Sequence, residues 1–586
     1  MSPDWHHYFH HHFISGLERL TGWADLLDDI NVYPVADGDT GRNLVLSLSP
    51  LRQLPRNPTE AARQLMFAAR GNSGNIAVRF LSGLLAADTW MLLPGTVKKA
   101  AVDARQAVHA PMPGTMLSVF DTLSATLAPL TTTPSPLDVK RILDALARTV
   151  RHTPDHLEKL KQAGVVDAGA LGIYLFFEGF FSPLTDPAVP IPSPFVRFKG
   201  LLKVNGSFSD APEDTWCVDT VVRLGHSGLK WEETLRSAGD STVVVTKDGY
   251  AKIHLHTRDP EKWRQTAASI GEVIAWNDDN ITRQMADFKT GPATPAIHIM
   301  TDAAGSVTRS DARRLGITLL DSYINFNGQS LPETRIPPQK LYAALGDGKP
   351  ASTSQASDYE RHACYQNVMA RYGRVLYLCV GSVYTGNYQA VMDWKTRHDP
   401  DGRLIVIDTG TASGRLGLIS LTVARFAART KDPGAVIQFA IRAIDRCDEY
   451  VFLDRLKYLA AGGRLSKASA FFGDALHFKP VIRPVATGAE KVAVVKNRPA
   501  QLAFALDQLK TASPESTARA PLTIMLEYSD NRNWIESTVL PEIARQFADA
   551  EIMLQPLSLT SGTHMGPGTW ALAFITAPEL SEQADR

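Results

Sequence analysis

Cysteine is scarce in this chain. Cys217, Cys364, Cys379 and Cys447 are the only four in 586 residues, widely separated and without a CxxC pair. That pattern excludes a disulfide framework and reads as free thiols in a reducing compartment. An excess of either charge is also lacking: 61 basic and 61 acidic side chains cancel. Phosphate neutralisation usually leaves a basic surplus, so an extended nucleic-acid surface is not expected. Long apolar runs are missing too. The most apolar window, Leu171 to Phe181, is interrupted by Glu178 and is about half of a membrane span of roughly 20 residues. The N-terminal string MSPDWHHYFHHHF has no basic-then-apolar layout of a signal peptide. These absences point to the cytoplasm. No GxxxxGK[ST] string occurs, so a nucleotide site here would not be a P-loop.

What is present is ordinary globular material, 44% hydrophobic and 21% charged. The length exceeds a single core, and three or four domains are expected. Prolines 183, 187, 190, 192 and 194 form one break, and TGPATP around Pro292 and Pro295 forms a second. Before the first break, apolar residues recur at three- and four-residue spacing around 10–30, 58–90, 97–110, 116–130 and 136–151, which predicts an all-α domain. Between the breaks, DSTVVVTKDGYAKIHLHT reads as a β-hairpin turning at Asp248-Gly249. After residue 295, short apolar strands (AIHIM, RVLYLCVG, RLIVIDTG) alternate with helical stretches at 416–430 and 433–447, and PLTIMLEY and ALAFIT follow. That is an α/β pattern.

The string Asn31 to Asn43, NVYPVADGDTGRN, places Asp37 and Asp39 one glycine apart, with Gly41 close behind. Such a segment does not suit a helix interior and is expected as a loop. Two carboxylates presented together need a cation, and hard oxygen ligands suit Mg²⁺ on nucleotide phosphates. An ordinary Asx-type surface turn is the plainer alternative. Companion segments favour the metal: ARGNSG at 69–74 offers glycine N–H groups and a hydroxyl, while Pro113-Gly114-Thr115 and Val166-Asp167-Ala168-Gly169 open predicted helices.

These four segments, in this order, resemble the nucleotide-binding domain of the dihydroxyacetone-kinase L-subunit family. Within it they look most like the ATP-binding component of bacterial fatty acid kinase. The resemblance covers about 1–185 and implies an eight-helix barrel holding ATP and two Mg²⁺ at one end. It makes Asp37 and Asp39 the catalytic metal ligands with Asn31 beside them. Thr40, Asn43, Ser73, Gly74, Thr115 and Asp167 would line the nucleotide site. Arg42 and Ala36 depart from the family pattern, as do Ala170-Leu171.

In the middle piece, His254 and His256 alternate on one strand and point to one face. Cys217 lies on another predicted strand. One thiolate and two imidazoles make a three-ligand Zn²⁺ set, and a polar strand face is the alternative. The segment also resembles the middle domain of the same kinase component, where a Cys and a His-x-His bind zinc. His226 is a weaker fourth candidate. The N-terminal histidines (His6, His7, His10, His11, His12) read instead as a solvated or partly packed helix start.

Hydroxyl-rich turns follow the strands of the last region: Ser352-Thr353-Ser354, Thr385-Gly386 and Asp408-Thr409 with Ser413-Gly414. Such turns bind carboxylates or phosphates, and also cap helices. With TDAAGS at 301, LKYLAAGGRLS at 456, HFKPVI at 477 and GTHMGPG at 562, they resemble the DegV family of fatty-acid-binding proteins over about 295–580. The resemblance implies a two-subdomain α/β fold with Thr353, Thr385 and His564 on the lipid carboxylate and Ser354 in the same turn. Arg464 would meet the phosphate or the kinase surface.

The expected protein is therefore multidomain, with an all-α kinase domain at 1–185, a small α+β middle domain at 197–288 and an α/β lipid domain at 295–582. The expected reaction is ATP-dependent phosphorylation of a fatty-acid carboxylate. Expected partners are a fatty acid, a second copy of the chain, and an acyltransferase that uses the acyl phosphate, with transient membrane contact at most. A dihydroxyacetone-type kinase and a non-catalytic lipid-binding regulator are the alternatives.

Overall fold

The computed structural model describes residues 5–55, 57–186, 191–209, 215–225, 240–282, 285, 295–461, 479–512 and 522–576. Contacts divide the chain into two compact units that part after Lys289.

In the first unit the helices are α1 (Trp5–Gly22), α2 (Ala24–Asp29), α3 (Thr40–Leu48), α4 (Pro58–Ala68), α5 (Gly71–Leu84), α6 (Leu93–Ala107), α7 (Met116–Leu127), α8 (Pro136–Arg151), α9 (Glu158–Ala163) and α10 (Ala168–Phe181). Every residue of α10 is buried. A helix apolar on all sides belongs in the middle of a core, and α1, α2, α3, α7 and α8 pack around it. Its one acid is neutralised in place. Glu178 meets the Arg19 guanidinium at 2.6 Å and accepts from the Tyr174 hydroxyl at 2.6 Å. The segment 191–209 covers its outer side, with Phe198 against Tyr174 and the Pro192 carbonyl on Arg19.

The expected 58–90 helix is two helices, broken at Ala69-Arg70. The expected loop at 37–43 is shorter than its glycines suggested. Asp37 and Asp39 do lie in the loop, but Gly41 sits in the first turn of α3. Glycine is tolerated there because a Cβ would stand 2.0 Å from the Ala24 carbonyl oxygen. Close helix packing, and not chain reversal, selects it. Among the N-terminal histidines, His12 is buried and donates from Nδ1 to the Phe180 carbonyl at 2.7 Å.

The same unit carries a four-stranded antiparallel sheet in the order β2-β3-β1-β4, formed by β1 (Trp216–Leu224), β2 (Asp240–Lys247), β3 (Tyr250–Thr257) and β4 (Gly271–Asn280). The β2–β3 hairpin turns at Asp248-Gly249 as its sequence predicts, both residues at positive φ. One face of the sheet packs on the helix Pro260–Ile270 through Val218, Val222, Ile253, Leu255 and Trp263. The other face carries Cys217, Asp219, Lys252, His254 and His256 together with buried Val221, Val243 and Val245.

The second unit has a parallel sheet, β11-β10-β5-β6, built from β5 (His298–Asp302), β6 (Ile317–Leu320), β10 (Val375–Cys379) and β11 (Leu404–Asp408). A small antiparallel sheet runs β8-β7-β9, from β7 (Ser322–Phe326), β8 (Gln329–Pro332) and β9 (Ala351–Gln355). A six-stranded sheet has the order β14-β13-β12-β17-β15-β16, from β12 (Cys447–Phe452), β13 (Lys479–Val485), β14 (Gly488–Val495), β15 (Leu522–Tyr528), β16 (Glu551–Pro556) and β17 (Trp570–Thr576). The helix Ser413–Ala427 packs against strands of the parallel and six-stranded sheets, with Leu416, Leu418, Ile419 and Leu421 in the shared core.

Acids are buried in this unit as well. Glu333 accepts from the Thr560 amide and hydroxyl, each at 2.9 Å. Burial nevertheless pushes its carboxyl from an ordinary 4.5 up to about 8. A raised acid favours folding below its unfolded pKa, and that contribution is lost as pH rises through about 8. The loss approaches about 1.4 kcal/mol per pH unit within that window. Urea unfolding should therefore show wild-type stability falling more between about pH 5 and pH 8 than that of Glu333→Gln. Parallel pH profiles for the two proteins would overturn this assignment.

Candidate functional site

The acidic loop is held by its neighbours. Asp28, near the end of α2, accepts the amides of Gly41 and Arg42 at 2.7 and 3.1 Å and so satisfies the start of α3. Asp39 occupies the N-cap position of α3 but makes no side-chain cap bond, which leaves its carboxylate for other work. The Asn31 amide donates to Asp37 Oδ1, while Asn31 Oδ1 accepts from the Thr40 hydroxyl at 2.5 Å. Asn43 hydrogen-bonds Asp39. Thr40 Oγ1 lies 3.4 Å from Ser73 Oγ, the first link to α5.

Asp37 and Asp39 are each less than 10% exposed. Burial raises both carboxyls, and the charge of Asp39 raises Asp37 further. Arg42, Asn43 and His254 partly offset the shift at Asp39. Two desolvated acids side by side ionise together only when a cation joins them. Their oxygen donors, with the Asn31 amide alongside, fit Mg²⁺.

The ARGNSG turn joins the same cluster. Gly71 opens α5 at φ +61°, and a Cβ on it would meet Asn43 Nδ2 at 2.2 Å. At Gly74 a Cβ would stand 2.0 Å from Ser47 Oγ. That hydroxyl donates to the Asn43 carbonyl and accepts the Arg70 amide. The glycines thus bring α3 against α5. The Gly71 N–H is engaged by protein, donating to Asp219 Oδ2 at 2.9 Å.

Asp167 caps α10 through the Ala170 amide at 2.7 Å, and burial pushes it up to about 7. A Cβ built on Gly169 would lie 3.3 Å from Asp167 Oδ1 and 3.6 Å from Ser73 Oγ, so Asp167 adjoins the cluster. Thr115 begins α7, but its hydroxyl turns back to the Met112 carbonyl at 2.9 Å.

The Cys217 face of the four-stranded sheet supplies the rest. Register aligns His256, Cys217 and Asp279 in one row across β3, β1 and β4, and His254, Asp219 and Asn277 in the next. Directly opposed residues share a face. Cys217, His254 and His256 are buried, with one donor atom from each lying within 4.8 Å of the others. His254 Nδ1 is 3.9 Å from Cys217 Sγ and 3.4 Å from Asp219 Oδ1, and its buried Nε2 has no hydrogen-bond partner. Burial lowers His256 to about 3, so its ring is neutral, as a ligand must be. The donor set fits zinc, and a carboxylate beside a ligating imidazole is a common supporting partner. His226 lies outside the described residues.

Four residues of this site went unnoticed in the sequence: Asp28, Asp219, Lys252 and Asp279. Asp219 and Lys252 had a legible signal, since each is two residues from a metal candidate on the same strand face. Asp28 and Asp279 had none, because helix capping and strand pairing put them there.

In the second unit, Thr353 Oγ1 lies 3.0 Å from His564 Nε2. Thr385 joins them indirectly, through Gln355 two residues along β9, which donates to its hydroxyl. The Arg361 guanidinium holds Gln355 Oε1 at 2.6 Å. Ser354 alternates away and accepts from Asn325 at 3.3 Å. Arg464 falls outside the described residues.

Three family models match the chain in series. The DAK2 domain spans residues 34–182, the FakA-like middle domain of fatty acid kinase 213–288, and the family described as uncharacterised protein, DegV family, 296–577. An uncharacterized protein of Staphylococcus saprophyticus is 29% identical over 298 residues, covering 46% of this chain and 54% of that protein. Protein YloV of Bacillus subtilis is 28% identical over 333 residues, covering 50% and 60%. The chain spans about half the length of the curated relatives it matches. A solved DegV-family protein from Thermus thermophilus, described as fatty acid binding, has a TM-score of 0.44 at 22% identity, covering 48% of this chain and 99% of that one. DegV from Bacillus subtilis, described as a fatty acid binding protein, gives 0.43 at 19% identity, covering 49% and 100%. No helix among the described residues is long and apolar enough to cross a membrane.

If Cys217, His254 and His256 hold zinc, protein purified without chelator should carry one equivalent per chain by elemental analysis. Cys217→Ser should lose most of it. Full zinc content in that variant would move the metal to another site.

Proposed function

The chain carries a DAK2 domain, a FakA-like middle domain and a DegV-family domain in series, and from this we propose that it is an ATP-dependent kinase acting on the carboxylate of a fatty acid. The observation that carries the proposal is the buried pair Asp37 and Asp39, framed by Asn31, Thr40, Asn43 and Ser73 and bordered by the sheet of the middle domain. We assign the kinase domain to 1–185 with an eight-helix barrel, the middle domain to 197–288 and the lipid domain to 295–582. The middle domain is matched by a model described for a fatty acid kinase, which favours a lipid acid over a small hydroxyketone.

Two Mg²⁺ ions, when bound, neutralise charge on the nucleotide phosphates. Asp37 and Asp39 would hold them, and Asn31 fixes the orientation of Asp37. Thr40, Asn43, Ser73, Gly74, Thr115 and Asp167 shape the nucleotide site. Thr353, Thr385 and His564 hold the lipid carboxylate, with Ser354 on the neighbouring face. Arg464 is assigned to the transferred phosphate. A carboxylate oxygen forms the new bond to the γ-phosphorus as the bond to the β-phosphate oxygen breaks. ADP leaves and an acyl phosphate results. The acid is already ionised at neutral pH, so no general base is required. Positioning and charge neutralisation supply the rate.

Joining donor and carrier in one chain raises their mutual concentration to roughly millimolar where the linker permits contact. The product is a reactive mixed anhydride, so an acyltransferase is the expected consumer. A homodimer, a cytoplasmic location and a zinc ion in the middle domain complete the proposal.

The test is a hydroxylamine trap with purified protein, MgATP and a panel of fatty acids, with dihydroxyacetone run alongside by ADP release. Acyl hydroxamate should form and should fall at least about 100-fold in Asp37→Ala, with fatty-acid binding unchanged. Near wild-type turnover in that variant would remove Asp37 from the metal site. ADP release with dihydroxyacetone alone would give a small-molecule kinase. Lipid binding without hydroxamate would leave a regulatory carrier.

A further inference from the structure

The Asp219 carboxylate receives groups from two directions. From α5 it accepts the Gly71 amide on Oδ2 and the Asn75 side-chain amide on Oδ1, both at 2.9 Å. From β3 it faces Lys252 Nζ at 3.3 Å and His254 Nδ1 at 3.4 Å, both on Oδ1. The Asp219, Lys252 and His254 side chains are at most 5% exposed, and Asn75 is fully buried. One carboxylate therefore ties the opening turn of α5 to an imidazole of the candidate zinc site.

Resting on the kinase reading above, we infer that Asp219 is a positioning residue through which zinc at Cys217, His254 and His256 tunes nucleotide affinity. Its Oδ2 occupies the Gly71 N–H, so that donor fixes the ARGNSG turn and does not reach a phosphate. The turn in turn places Ser73 3.4 Å from Thr40 and leaves Gly71 against Asn43, the partner of Asp39. A metal that fixes the His254 ring fixes what Asp219 Oδ1 faces. The path then runs His254, Asp219, Gly71 and Asn75, and Ser73 with Asn43. The links from His254 through Asp219 to Gly71 and Asn75 are buried polar contacts, Ser73 lies two residues from each in the same turn, and Asn43 packs against Gly71.

A purely structural ion pair with Lys252 would stabilise the sheet without making one ligand sense the other. Linkage separates the two accounts, because a coupling between sites is reciprocal. Zinc would tighten nucleotide binding, and nucleotide would tighten zinc binding by the same factor. Lys252 pairs with the carboxylate at 3.3 Å, and the two α5 donors carry the effect to the loop.

The experiment uses the full chain stripped of metal by chelation. A fluorescent ATP analogue with Mg²⁺ is titrated with and without one equivalent of zinc, and zinc affinity is measured by chelator competition with and without MgATP. Wild type should bind nucleotide at least about 5-fold more tightly with zinc, with a matching change in zinc affinity. Asp219→Asn should still bind zinc but show less than about a twofold nucleotide response. Asn75→Ala leaves the middle-domain carboxylate, lysine and imidazole in place, so it tests the link where Asp219→Asn folds poorly. It should also weaken the response. Nucleotide binding in wild type that ignores zinc, or a full zinc response in both variants, overturns the inference. Absence of nucleotide binding in every form overturns the kinase reading itself.

Discussion

A carboxylate taken out of water must find donors or a cation, and the first unit is organised around several that do. Asp28 is satisfied by the amides that begin α3. Asp219 is satisfied by Lys252, the start of α5 and Asn75. Burial alone would raise Asp219, but Lys252 and His254 hold it well below the usual carboxylate range. Asp37 and Asp39 differ in standing side by side. Their protein partners, Asn31, Asn43 and Arg42, leave both carboxyls raised. Raised carboxyls with structural partners, such as Asp167 on the Ala170 amide, stand alone, whereas this pair adds mutual repulsion to burial.

The same economy explains the two faces of the middle sheet. Strand alternation sends Val218, Ile253 and Leu255 into an apolar core under the helix Pro260–Ile270. The residues between them, Cys217, Asp219, Lys252, His254 and His256, all fall on the opposite face. A solvated sheet would tolerate such a row at little cost. Here the row is buried, and each member needs a partner from α5, from the acidic loop or from a bound ion. Val35 of that loop packs against the small cluster of Cys217, Ile281 and Met285, so the apolar and polar contacts reinforce one seam.

Much of this was legible in the sequence. The DGD string, the ARGNSG string and the His-x-His strand were found from glycine spacing, charge and period-two alternation, because those signals are local. The hairpin at Asp248-Gly249 and the strands at AIHIM and RLIVIDTG were equally local. What stayed hidden depends on contacts far apart in the chain. Asp219 meets Gly71 across 148 residues, and no local rule joins them. Gly41 looked like a loop residue because its reason, the Ala24 carbonyl 2.0 Å from a would-be Cβ, lies in another helix. Ser352-Thr353-Ser354, expected as a turn, lies instead in strand β9, where pairing with β7 and alternation give Thr353 and Ser354 different partners.

Arg42, one departure from the expected family pattern, stands beside the acidic pair. A cation beside a metal-binding acid can displace the metal or share its task, and placement decides between them. Its backbone N–H is bound by Asp28, in the helix start. Its guanidinium reaches outward to Asp279 on β4, at 3.8 Å, where both side chains are substantially exposed. A pair that open to water is weak, so Arg42 keeps the freedom to turn toward an anion. Its charge already lowers Asp39, which is the direction that favours the ionised form a metal requires. Asp279 also lies opposite Cys217 in the sheet register, so the substitution brings its own countercharge from the middle domain. Placed this way, Arg42 lowers Asp39 while its guanidinium stays paired, at 3.8 Å, with an acid of the middle sheet.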